Sequence, residues 1–256
     1  MADLTRALSA GVLTLTINRE AKRNALSEEV LDGLYDALAA PPEQARVVLV
    51  ASAGDRVFCA GADLAVMGAE ATGLQRHEAR GGLRRVVLAM RDCPLPVVAR
   101  VQGLCLAGGV GLALGCDLVV AAEEAALGLP EVDLGLWPFM VGALLSRHVS
   151  PKVAMDLMLS GRRMPAAEAK AVGLISRVVP AADLDRAVAE LCGELAGKPP
   201  VAVRLGKAAF AAAQETALAA GLEAMQAQLS LLTQTADAAE GVGAFFDRRP
   251  PVWTGR

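Results

Sequence analysis

Aromatic side chains are scarce in this chain: five Phe, two Trp and one Tyr make up 3% of its 256 residues. With 54% hydrophobic residues a sizeable core is still available, but it has to be aliphatic, built from Ala, Val and Leu. Histidine is rarer still. His77 and His148 lie in charged helical contexts and read as surface residues rather than catalytic bases. The five cysteines (Cys59, Cys93, Cys105, Cys116 and Cys192) show neither metal-ligand spacing nor a disulfide framework. They read as small buried apolar residues in a reducing compartment, and no metal cluster is visible. Charge of one sign is not in excess. The formal charge of −3 comes from 25 basic and 28 acidic residues that are well mixed. Without a basic stripe, a nucleic-acid partner is not expected, although a small anionic ligand needs only a local cluster. The longest uncharged stretch, Val101 to Cys116, holds five glycines and is too short to span a membrane. The N-terminus lacks the basic start and apolar core of a signal peptide, so the cytoplasm is the expected location.

Several ligand and nucleophile motifs are missing too. Gly109-Val110-Gly111 begins a dinucleotide fingerprint, but Leu114 holds its third glycine place. No Gly-Lys-Ser/Thr phosphate loop follows. Ser52 lies in Val50-Ala51-Ser52-Ala53-Gly54, which is not a nucleophile elbow.

What is present is an alternation of strands and helices. Val12–Ile17, Val47–Ser52, Val97–Val101 and Leu118–Ala122 have the apolar, β-branched character of buried strands. Ser27–Ala39 reads as a helix with Ser27 as N-cap, and His77–Arg91 as another. The second half turns helical over Lys152–Ser160, Ala166–Val172, Leu184–Ala196, Val201–Ala213 and Leu222–Thr233. Ala208–Ala220 also reads as helical, and such Ala-rich segments bury little area alone, which suits packing on another subunit. The pattern predicts an α/β fold, with a hinge at Lys198-Pro199-Pro200 dividing a core over residues 1–198 from a helical region over 199–256.

Two short glycine loops carry the chemistry. They are Phe58-Cys59-Ala60-Gly61-Ala62-Asp63 and Gly103-Leu104-Cys105-Leu106-Ala107-Gly108-Gly109-Val110-Gly111. Small residues let a ligand approach the backbone, and a strand-to-helix turn leaves N–H groups free. Two such turns can aim two N–H groups at one oxygen, the arrangement that stabilises an oxyanion formed from a carbonyl. Two ordinary tight turns are the alternative for either loop alone.

The order of motifs resembles the crotonase superfamily, the enoyl-CoA hydratase/isomerase family. Asn18-Arg19-Glu20-Ala21-Lys22-Arg23-Asn24-Ala25-Leu26-Ser27 is similar to its N-terminal signature. The first loop follows, then Pro96-Val97-Val98-Ala99-Arg100-Val101-Gln102-Gly103 leading into the second, with Gln102 where Asn is usual. Cys116-Asp117-Leu118, Leu129-Pro130-Glu131-Val132-Asp133-Leu134-Gly135-Leu136 and Ala244-Phe245-Phe246-Asp247-Arg248-Arg249-Pro250 complete the series over essentially the whole chain. The resemblance implies a spiral of ββα turns with a C-terminal helical oligomerisation region, and a homotrimer or dimer of trimers. It implies an acyl-CoA substrate, with coenzyme A as part of that substrate and no permanently bound cofactor. Residue by residue it implies backbone N–H donors at Ala62 and Gly108, an acid/base at Glu131, and substrate or CoA contacts at Arg19, Lys22, Arg23, Ala60, Ala62, Asp63, Leu64, Gly108, Phe245 and Arg248. The uncharged segment Gly135-Leu136-Trp137-Pro138-Phe139-Met140 is expected to line the acyl pocket through Trp137, with ordinary core packing as the equal alternative. For the three basic residues of the first motif a solvated charged loop is the competing reading. Asp63 is expected above all to hold its loop.

One position departs from the pattern. Hydratases of the family use two glutamates, and the first would fall at position 111, where this chain has Gly111. General acid–base groups contribute about 10²–10⁴-fold each, so the usual hydration route is compromised. The extra aspartate of the family's dienoyl isomerases would fall at Phe139. A single glutamate suffices for a Δ3,Δ2-enoyl-CoA isomerase, and a glycine at 111 is expected to widen the pocket floor. An atypical hydratase and a non-catalytic acyl-CoA-binding protein are the alternatives.

Overall fold

A computed structural model of the chain describes residues 2–63 and 72–256. Strands β1 (Leu4–Ser9) and β2 (Val12–Ile17) form an antiparallel hairpin. Its two-residue turn has positive φ at both Ala10 and Gly11, the geometry that matches the twist of the flanking strands. Along β2 every second residue is buried, so Leu13, Leu15 and Ile17 face the core. Helix α1 (Glu28–Ala39) starts where the Ser27 hydroxyl accepts the Val30 N–H at 3.3 Å, and packs Val30, Leu34, Ala37 and Leu38 inward. Strands β3 (Val47–Ser52) and β4 (Val57–Cys59) follow, then helices α2 (Gly73–Arg80) and α3 (Gly82–Asp92).

Next come β5 (Val97–Val101), β6 (Leu104–Leu106), α4 (Gly108–Gly115), β7 (Leu118–Ala122) and β8 (Ala126–Gly128). A 3₁₀ turn over Pro130–Leu134 leads into α5 (Phe139–His148), α6 (Pro151–Ser160), β9 (Arg163–Pro165), α7 (Ala166–Ala171) and β10 (Arg177–Val179). The chain ends with α8 (Leu184–Ala196), α9 (Pro200–Ala213), α10 (Leu218–Leu232) and α11 (Ala236–Asp247).

The strands form two sheets. One runs β1-β2-β3-β5-β7-β10 and is parallel from β2 onward; the other runs β4-β6-β8-β9 and is parallel over its first three strands. Each strand pair (β3 with β4, β5 with β6, β7 with β8) therefore sends its first member to one sheet and its second to the other. Repeated with intervening helices, this is the ββα spiral. The larger sheet is covered on both faces, as parallel sheets require. One face joins the main core, while Val47, Val98 and Val120 on the other meet Leu184, Val188 and Leu191 of α8.

Three expectations are corrected. The helix expected over His77–Arg91 is two helices broken at Gly81, where adjacent Gly81 and Gly82 weaken helix continuity. The Ala208–Ala220 segment is split between α9 and α10. The second glycine loop contains a strand of its own, β6. The five cysteines are free and buried, as expected. Among the described residues no helix is long and apolar enough to cross a membrane.

The segment around Lys198 and the C-terminal tail are tied to the rest of the fold. Arg46 donates to the Lys198 carbonyl, and Lys207 of α9 bonds Asp117 at 2.6 Å and the Leu95 carbonyl at 3.0 Å. At the end of the chain the buried Asp237 carboxylate accepts from the backbone N–H groups of Thr254 and Gly255, and Trp253 donates to the Gly197 carbonyl. The C-terminus is thus strapped across α11 and the end of α8. Phe210, Leu218, Leu222, Leu229, Phe245 and Phe246 nevertheless stay exposed on the C-terminal helices.

Candidate active site

Three neighbouring parallel strands deliver the expected residues to one edge. The first loop leaves β4 after Cys59 and reaches Ala62. The second leaves β6 after Leu106 and reaches Gly108. The 3₁₀ turn leaves β8 after Gly128 and reaches Glu131. Adjacent strands lie about 4.8 Å apart, and parallel sheets of α/β proteins bind ligands beyond their C-terminal strand ends. The loops are in contact. A Cβ on Gly61, where φ is +101°, would lie 2.7 Å from the Ala107 Cβ and 3.3 Å from the Gly108 nitrogen; one on Gly108 would lie 3.6 Å from the Ala62 nitrogen. Among the described residues neither the Ala62 nor the Gly108 N–H donates a hydrogen bond within the chain. The first loop has Leu26 N–H on the Gly61 carbonyl and Asp63 N–H on the Leu26 carbonyl, which leaves the Ala62 N–H between them unused.

Glu131 stands on the third strand end. Its Oε2 is buried and, among the described residues, meets no hydrogen-bond donor. Burial pushes its carboxyl above the ordinary glutamate value, partly offset by its own backbone N–H. A half-buried carboxyl with an orphaned oxygen is costly unless it has work to do. Three other acids lie elsewhere or are engaged. Asp117 accepts from Val97 N–H at 2.7 Å and from Lys207. Glu123 and Glu124 lie in the exposed turn before β8, at the opposite end of that strand. Burial pushes the Cys59 thiol up to about 12, so this cysteine beside the first loop is not a nucleophile at neutral pH.

The basic residues of the N-terminal motif divide. Arg19 is taken by the fold: its guanidinium meets Asp63 at 2.8 Å, Asp3 at 2.6 Å and the Ala25 carbonyl at 2.6 Å, and its side chain is only 12% exposed. This corrects its assignment as a phosphate ligand, and it shows Asp63 holding the loop through an ion pair. Lys22 and Arg23 are exposed, and the Arg23 carbonyl accepts the Ala60 N–H, which sets both side chains beside the first loop. Trp137 is half-buried against the main core, after Glu131 on the same run. Leu64 lies outside the described residues. Phe245 and Arg248 are exposed at the end of α11, and among the described residues no hydrogen bond or ion pair links them to the loops or to Glu131.

Two residues were missed by sequence reasoning. Asn24 is buried, donates to the Ala53 and Val57 carbonyls and accepts the Arg19 N–H. Gln102, also buried, donates to Ser52 and the Gly54 carbonyl. For Gln102 the available signal was a polar residue adjoining a glycine at the end of an apolar strand; Asn24, inside a charged run, offered none. Gly111 also differs from expectation. A Cβ there would already lie 3.2 Å from both Leu83 Cδ2 and Val141 Cγ2, so the position is filled by neighbours and widens nothing. A separate cleft of about 940 Å³ opens between α3, α5 and α9; it shares Leu83 with this surface but none of the three strand-end residues. Among the described residues no group of His, Cys, Asp or Glu is placed to hold a metal ion.

Comparison with known proteins decides the family. Residues 7–256 match the model of the enoyl-CoA hydratase/isomerase family. The chain belongs to the enoyl-CoA hydratase/isomerase family. It is 38% identical to the 2,3-dehydroadipyl-CoA hydratase of Escherichia coli over the full length of both, and 35% identical to mouse methylglutaconyl-CoA hydratase over 96% of this chain and 80% of that one. An enoyl-CoA hydratase structure from Mycobacterium smegmatis superposes with a TM-score of 0.94 at 35% identity, covering 98% of each chain. A second, from Bacillus anthracis, gives 0.93 at 34% identity, covering 99% of this chain and all of that one. The protein is thus an enzyme of the hydratase/isomerase family with the ββα spiral of that fold.

Proposed function

We propose that the protein moves the double bond of an enoyl-CoA thioester from the 3- to the 2-position, using Glu131 as its only acid/base. The thioester oxygen lies between the N–H groups of Ala62 and Gly108. Those donors stabilise the negative charge that grows on the oxygen, and losing one such donor typically lowers the rate by about 10²–10³-fold. The Glu131 carboxylate removes a proton from C2, giving a dienolate and a neutral carboxyl group. The same carboxyl returns the proton to C4 as the electrons shift, so substrate and product differ only in the position of the double bond. No water is consumed. Lys22 and Arg23 flank the entry and suit the phosphates of coenzyme A as cationic partners.

The observation that carries this reading is the orphaned Oε2 of Glu131 on the strand end next to the two free N–H groups, with an apolar surface at position 111. Purified protein supplied with 3-enoyl-CoA should form 2-enoyl-CoA. Glu131→Gln should lower that rate by about 10²–10⁴-fold. The base must be ionised, and burial raises its pKa, so the rate should fall on acidification through a pH above the ordinary glutamate value of 4.5. Failure of the wild-type protein to isomerise would overturn the reading.

Hydration of 2-enoyl-CoA is the second reading, favoured by the names of relatives such as the 2,3-dehydroadipyl-CoA hydratase. Rapid formation of 3-hydroxyacyl-CoA, lost in Glu131→Gln, would support it in place of isomerisation.

A further inference from the structure

We propose that Leu83 and Val141 act as a reaction-specificity wedge, filling the space beside α4 that an acidic side chain at position 111 would need. The proposal rests on the reading of Glu131 as the sole acid/base, and it explains why a second one has no place.

Gly111 is buried in the first turns of α4, three residues beyond Gly108 on the same helix. Helices α3 and α5 close over it from two sides. The Leu83 Cδ2 and the Val141 Cγ2 each lie 3.2 Å from where a Cβ on Gly111 would sit, tighter than ordinary van der Waals contact. A methyl group already forces both neighbours to give. A carboxylate side chain would have to displace them, or be buried against two hydrocarbon groups without a partner. Leu83 also reaches toward the N–H end of the helix. Its Cδ2 lies 3.6 Å from the Cβ direction of Gly108, as does Leu26 Cδ1. One leucine therefore covers both the Gly108 backbone and the place of the absent acid. Leu83 is 8% exposed and Val141 3%, so the wedge is part of the packed core rather than a loose side chain.

The consequence is chemical. A water held for attack at C3 needs polar partners, and the groups closing over Gly111 have none to give. Among the described residues, substrate above α4 meets hydrocarbon on this side and the carboxylate of Glu131 on the other. Glycine at 111 and the bulky pair form one unit: exchanging the glycine alone does not convert the site, while trimming the wedge opens it.

The test uses the full chain and two readouts. In the first, Gly111→Glu, Leu83→Ala/Gly111→Glu and Leu83→Ala/Val141→Ala/Gly111→Glu are assayed for hydration of 2-enoyl-CoA. Gly111→Glu alone should hydrate no faster than wild type. At least one combined variant should exceed it by tenfold or more. Equal hydration by Gly111→Glu and both combined variants would overturn the wedge. The second readout needs no catalysis and covers variants too unstable to assay. Gly111→Ala should lower the urea midpoint clearly in the wild-type background and much less in Leu83→Ala/Val141→Ala, because trimming both neighbours makes the room. Additive midpoint shifts would overturn the proposal. If the midpoints couple but wild type fails to isomerise 3-enoyl-CoA, the wedge stands and the isomerase reading alone falls.

Discussion

The two glycine loops present similar N–H groups at adjacent strand ends, yet they are held in different ways. The first is tied to the segment before α1, by backbone bonds to Arg23 and Leu26 and by side chains at its two ends. Asn24 bonds the Ala53 and Val57 carbonyls before the loop begins, and Arg19 grips Asp63 at its end. The second is held by backbone. β6 is laddered between β4 and β8, the Ala107 N–H donates to the Gly128 carbonyl, and α4 begins at once. Damage to the second should therefore reach the whole smaller sheet, whereas damage to the first should release one donor and leave the spiral standing.

The largest effect is expected from Gly103→Ala. Gly103 turns the chain into β6 with φ at +58°, and a Cβ there would lie 1.9 Å from the Arg56 carbonyl oxygen. That oxygen accepts the Leu104 N–H at 2.9 Å, so it cannot retreat without breaking the bond that starts β6. Clash and positive φ together should cost at least about 3 kcal/mol. Urea unfolding measures the loss, and a change under about 1 kcal/mol would show that the second loop is not a backbone device.

Asn24→Ala comes next. It removes two donors from buried carbonyls and the acceptor of the Arg19 N–H, which should lower stability by about 2–4 kcal/mol. Here the comparison sharpens, because the damage should localise. Hydrogen exchange should rise at Ala60 and Asp63, whose N–H groups are bonded, while β6 and α4 keep their protection. Equal loss of protection in both loops would break the distinction.

How far the sequence exposed these two modes follows from what each rests on. Four of the six strands of the larger sheet were legible because apolar runs such as Val47–Ser52 are long enough to show their character; β1, largely exposed, and the three-residue β10 were not. β6 was not, since three residues between glycines carry no period. Glu131, Ala62 and Gly108 were singled out through motif order, and they lie just past the ends of adjacent strands. The role of Arg19 was misread because a basic residue in a charged loop suits a phosphate equally well. Only the fold brings Asp3 and Asp63, so distant in sequence, to one guanidinium. The wedge was hidden for the same reason: Leu83 and Val141 meet Gly111 from helices on either side of it in the chain.

Arg19→Ala should be milder than Asn24→Ala. Asp63 keeps only 16% of its side-chain surface exposed, and losing the guanidinium strands part of that carboxylate, at a cost of about 1–3 kcal/mol. Because Asp63 adjoins Ala62, the catalytic loss should exceed what stability explains, with kcat falling and KM for the CoA ester little changed. A rise in KM with kcat unchanged would return Arg19 to the role of a phosphate ligand.

The smallest effect should come from Ala107→Gly, and its sign is the informative part. Ala107 immediately precedes Gly108 with φ at 50° and ψ at −124°, a conformation that side-chain-bearing residues rarely adopt. Such a residue stores about 1–3 kcal/mol of strain, and glycine relieves it while giving back about 0.4–1 kcal/mol through a freer unfolded chain. A net gain of about 1 kcal/mol is expected on urea unfolding. The same strained residue fixes the peptide plane that carries the Gly108 N–H. Glycine frees that plane, so kcat should fall a few-fold even as the protein becomes more stable. If stability and kcat rise together, the strain has no part in aiming the donor, and the second loop is held by its ladder alone.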